Sequence, residues 1–84
     1  MTRRFQITTE FVSVPFNVNG NGCNGIEFIN KGMNIAIVKG VQIFPNGSWQ
    51  PYNTVAEEQD FTEYKIGFTG VGISNLVVVK KSYV

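Results

Sequence analysis

The chain has 84 residues, seven basic against six acidic side chains, no histidine and one cysteine, and 43% of it is hydrophobic. That length holds one domain and buries only roughly 60–65% of the surface the unfolded chain exposes, so its own core is marginal. One cysteine excludes an internal disulfide, the absence of histidine argues against zinc, and a net charge of +1 does not mark a nucleic-acid binder.

Oligomerisation is then the cheapest source of extra burial. No run of 18 apolar residues is present, so no helix is expected to span a bilayer. The start, M-T-R-R-F-Q-I-T-T-E, is basic but lacks the apolar core of a secretory signal. The expected location is the cytoplasm, or a particle assembled there. Secretion is expected only if a signal has been removed.

In chain order, Phe5, Ile7, Thr9 and Phe11 alternate with Arg4, Gln6, Thr8 and Glu10. Period two predicts a strand with the Phe5–Phe11 face buried. After Phe11 the apolar parity shifts to Val12, Val14, Phe16 and Val18, which predicts a bulge near residues 11–12 or a bend. Pro15 has no N–H for a ladder, so the strand breaks there or lies on an edge. Residues 19–25, N-G-N-G-C-N-G, carry two Asn-Gly pairs and predict a tight hairpin turn. Neither the spacing of a phosphate-binding loop nor a following helix is present. Cys23 has no His or Lys neighbour in sequence and reads as structural.

A strand with Ile26, Phe28 and Ile29 follows, then a turn at Asn30-Lys31-Gly32. Met33 to Val38 is apolar on both faces, which predicts a central strand covered on both sides or a subunit contact. Lys39-Gly40 reverses the chain into Val41–Phe44. Pro45-Asn46-Gly47 ends that strand, with Pro fixing φ and Gly accepting positive φ. The sequon Asn46-Gly47-Ser48 reads as part of the same turn.

The run N-K-G-M-N-I-A-I-V-K-G-V-Q-I-F-P-N-G-S-W, Asn30 to Trp49, joins these signals. It resembles the hairpins of small β-sandwich modules in bacteriophage and other virion structural proteins. The shared pattern is asparagine-x-glycine, an apolar strand, x-glycine-valine, then proline-x-glycine, within residues 26–49. The family often places glycine straight after the proline, and Asn46 intervenes here. The resemblance implies particle decoration, adaptor or capsid-associated roles built from many symmetric copies. It assigns no role to an individual residue.

Thr54 to Glu57 fits a capping box, which predicts one helical turn or a polar loop. Glu57, Glu58, Asp60 and Glu63 read as a solvated acidic stretch rather than a catalytic or calcium-binding set. Phe61–Phe68 and Ile73–Val79 are the last two strands, and Lys80-Lys81 act as charged gatekeepers after a sticky run.

About seven short strands with turns every 8–12 residues predict one all-β domain over residues 1–84, with flexible ends at 1–3 and 81–84. The fold expected is a small antiparallel β-sandwich (jelly-roll-like) or a partly open barrel. With no histidine to act as base, and no cofactor or metal expected, a non-enzymatic role follows: a structural protein, homo-oligomeric or docked to other subunits. The candidate interaction residues are Phe44, Trp49, Tyr52 and Tyr83. Arg3, Arg4, Lys80 and Lys81 form a candidate basic patch if the terminal strands pair. The competing class is a small module that binds a sugar or peptide on a Trp49/Tyr52 platform.

Overall fold

The computed structural model describes residues 4–51 and 58–83. Eight strands follow in order: β1 Phe5–Val12, β2 Phe16–Asn19, β3 Gly25–Asn30, β4 Ile35–Val38, β5 Val41–Ile43, β6 Ser48–Trp49, β7 Glu63–Thr69 and β8 Leu76–Tyr83. They build two four-stranded antiparallel sheets, one in the order β1-β8-β3-β6 and the other β2-β7-β4-β5. The architecture is that of two sheets packed face to face. Among these strands only β4 and β5 are neighbours in both chain and sheet; every other connection changes sheet.

The core lies between the sheets. Val12, Ile26, Phe28, Leu76 and Val78 of the first sheet face Val18, Ala36, Val38, Ile43, Tyr64 and Ile66 of the second. Phe28 is fully buried, and its ring meets Trp49 (5.8 Å, stacked at 23°) and Tyr64 from the opposite sheet (5.1 Å, tilted at 58°).

Turn chemistry sets several of the boundaries. Lys39 and Gly40 both have positive φ, 52° and 83°, which is the twist a two-residue hairpin needs to join β4 to β5. At Phe44–Gly47 the positive φ falls on Asn46 (67°), not on the expected Gly47, and the Gly47 N–H donates to Phe44 O at 2.8 Å. Asn21 and Gly22 (52° and 82°) also make a tight reversal, closed by Cys23 N–H donating to Gly20 O at 3.0 Å. The strands on either side do not pair, however: β2 and β3 belong to different sheets, so the expected hairpin is a sheet-to-sheet crossing.

Other expectations are corrected in the same way. There is no bulge at residues 11–12, since β1 pairs with β8 without interruption from Phe5↔Tyr83 to Val12↔Leu76; the alternative, a bend, is found just after it at Val14–Pro15. The parity change instead marks where the apolar side of β1 moves from the outer to the inner face, and the strand ends before Pro15. β4 is interior to its sheet but starts at Ile35 and is covered on one side: Ala36 and Val38 are buried, while Ile35 and Ile37 are half-buried. β8 starts at Leu76 and runs on through Lys80 and Lys81 to Tyr83. The capping box at 54–57 lies outside the described residues.

Candidate interaction surface

Residues paired directly across an antiparallel ladder share a face. Leu76, Val78 and Lys80 of β8 are buried, so Val77, Val79, Lys81 and Tyr83 point away from the core. Their partners on β1 are Phe11, Thr9, Ile7 and Phe5, and on β3 Ile29, Glu27 and Gly25. The outer face of the first sheet is therefore largely apolar. Phe5, Ile7 and Phe11 are 54%, 55% and 73% exposed. The alternation in β1 is real, but its apolar side is the outer one, and the inward-pointing Gln6, Thr8 and Glu10 are themselves exposed.

At one end of this face Phe5 and Tyr83 meet edge to face (6.4 Å, 75°), with Lys81 Nζ 4.7 Å from the Phe5 ring centre and 5.0 Å from that of Tyr83. The ammonium is held over two negative ring faces. Lys80 faces the other way. It is 8% exposed, its Nζ donates to Asn19 O at 2.8 Å, and it lies 3.4 Å from Glu10 Oε1. The terminal strands do pair, yet Lys80 and Lys81 point to opposite faces and β8 is an interior strand. Lys80 therefore joins the two sheets rather than a surface patch. Arg4 is exposed, and Arg3 lies outside the described residues.

The aromatic candidates are similarly dispersed. Trp49 is half-buried and stacked on Phe28, and so closes the core. Phe44 is 59% exposed beyond β5, and Tyr83 lies on the outer face of the first sheet. Tyr52 lies outside the described residues. No common site joins Trp49 to Tyr83, because they occupy opposite faces of one sheet.

Polar side chains hold the loops. Asn24 Nδ2 donates to Glu58 O (2.6 Å), and its Oδ1 accepts from Tyr83 N–H (2.8 Å). Asn34 Nδ2 donates to Gly72 O and Ser74 Oγ, both at 2.8 Å, and its Oδ1 accepts from Gly72 N–H at 2.7 Å. Asp60, expected in a solvated run, is buried. It accepts from Thr62 N–H (2.7 Å) and from Tyr64 Oη–H (2.6 Å). Burial, and then the bond to Asp60, hold the Tyr64 phenol well above its usual pKa. Glu58 and Glu63 stay exposed. Among the described residues no three His, Cys, Asp or Glu side chains gather to hold a metal ion, and no helix is long and apolar enough to cross a membrane.

No protein-family model matches the chain, and neither a curated protein nor a solved structure matches it significantly. The outer-face residues Phe5, Ile7 and Phe11 were not distinguishable as surface from sequence. Their only signal is the period-two pattern, which is the same for a face turned toward or away from the core.

Proposed function

We propose that this chain is a non-enzymatic structural protein that works by symmetric self-assembly or by docking to other structural subunits. Its setting is a virus particle, as a capsid-associated, decoration or adaptor component. The observation that carries the reading is the apolar outer face of the first sheet, with Phe5, Ile7 and Phe11 each more than half exposed. Exposed apolar side chains gathered on one face of a small domain favour an interaction surface.

The strand order supports the finer architectural reading as well. Four strands ordered β1-β8-β3-β6 against four ordered β2-β7-β4-β5, with the chain crossing between sheets at nearly every connection, fit a double-sheet jelly roll. Viral capsid domains use that architecture, as do lectins and cupins. Trp49 is half-buried and packs against the core on Phe28, which leaves little of its indole for the sugar-platform alternative.

Sedimentation velocity from low to high micromolar concentration tests the proposal. Self-association that strengthens with protein concentration is expected. A monomer at all concentrations that also fails to bind other particle subunits overturns it.

A further inference from the structure

The apolar face ends at an open edge. Among the described residues β1 pairs with β8 on one side and with no strand on the other. An unpaired edge offers a row of backbone donors and acceptors to another chain, and proteins usually blunt it with proline, lysine, a bulge or brevity. β1 has none of these. It runs eight residues, FQITTEFV, in unbroken register, with Glu10 as its only charge and Arg4 just before it.

We infer that β1 is the seam for a second copy of this chain, added antiparallel about a two-fold axis through Ile7. The inference rests on the self-assembly reading above and names its contact. Two-fold pairing sets the same strand against itself, and directly opposed residues must share a face. Pairings are therefore restricted to centres on a single residue. Centred on Ile7, the pairs are Arg4 with Glu10, Phe5 with Thr9, Gln6 with Thr8, and Ile7 with itself. Both ends then carry an opposite-charge pair, and the apolar face of one sheet continues into the next. A centre on Thr8 sets Glu10 against Gln6 and Arg4 against the buried Val12. A centre on Gln6 sets Arg4 against Thr8 and leaves Glu10 opposite residue 2. Only the Ile7 register matches both charges. Glu10 is near Lys80 Nζ at 3.4 Å and its side chain is still 48% exposed, so it remains open to a second cation.

Three variants test the seam, each checked for folding by circular dichroism. Ile7 is more than half exposed, so Ile7→Lys leaves the fold intact and sets two ammonium groups against each other on the axis. Arg4→Glu sets like charges at both ends. Each is expected to raise the dissociation constant at least about tenfold. Ile7→Cys is expected to form a disulfide-linked dimer under mild oxidation, because opposed Cα atoms lie about 4.5–5.5 Å apart, within disulfide reach. Gln6→Cys and Thr8→Cys are expected to stay uncrosslinked, like the wild type with its buried Cys23. Undiminished oligomers in Ile7→Lys, or crosslinking at 6 or 8 in place of 7, overturn the seam and leave the assembly reading standing. A wild type that never associates removes the seam, and the broader reading then depends on binding to other subunits.

Discussion

Asn30 is fully buried, yet every part of its carboxamide is engaged. Its Nδ2 donates to Asn34 O and Ile43 O, both at 2.8 Å, and its Oδ1 accepts from Gly32 N–H at 2.9 Å. One side chain thus fixes the loop after β3 and ties it to the end of β5 in the other sheet. Asn30→Ala leaves two buried carbonyls and an amide without that partner, and is expected to cost about 3 kcal/mol, read from urea unfolding. Asn30→Asp keeps the acceptor but loses both donors, and should be nearly as damaging. Tyr64 gives a pH-dependent counterpart. Its folded pKa is raised above the ordinary value of 10.0, so its contribution is fully present below about pH 10 and is lost as pH rises beyond it. Wild type should exceed Tyr64→Phe in stability at pH 8, and the gap should shrink above pH 10. A gap unchanged across that range would remove the assigned role of the Tyr64–Asp60 bond.

At the scale of elements, the β4–β5 hairpin separates backbone strain from packing. A Cβ on Gly40 would meet nothing within 4 Å, yet φ there is +83°. Gly40→Ala therefore costs only the left-handed conformation, about 1–2 kcal/mol in urea unfolding. At Gly20 the reverse holds: φ is not positive, but a Cβ would run into the Asp60 backbone carbonyl. Gly20→Ala should be the more damaging of the two and should disturb the Cys23–Asp60 bridge. The Lys39-Gly40 reversal was legible in the sequence because turn chemistry and strand pairing agree there. At Asn21-Gly22 the same chemistry makes the same turn, but the strands it joins pair elsewhere, and partner choice is a long-range property that local residues do not encode. β1 failed for a related reason. Period two says which residues share a face, and only the packed neighbours say which face meets the core. Asn24, Asn30 and Asn34 look like ordinary loop residues until their distant carbonyl partners are known.

The whole molecule is narrow, 49 × 19 × 17 Å, with a radius of gyration of 13.2 Å against about 12 Å for a compact chain of this length. A cross-section that small leaves room for one layer of core side chains between two sheets about 10 Å apart. Two phenylalanines on opposite faces of the first sheet should then behave in opposite ways. Phe28 fills the middle of that layer between Trp49 and Tyr64, and Phe28→Ala is expected to cost about 3–5 kcal/mol and to shift the emission of Trp49, the only tryptophan. Phe11 stands 73% exposed on the outer face. Phe11→Ser should change the stability of the isolated subunit by less than about 0.5 kcal/mol, the usual range for a surface site. Its effect should appear between molecules, as shorter retention on a hydrophobic-interaction column and weaker self-association. If Phe11→Ser instead unfolds the subunit as Phe28→Ala does, the outer face supports the fold itself and is not held in reserve for a partner.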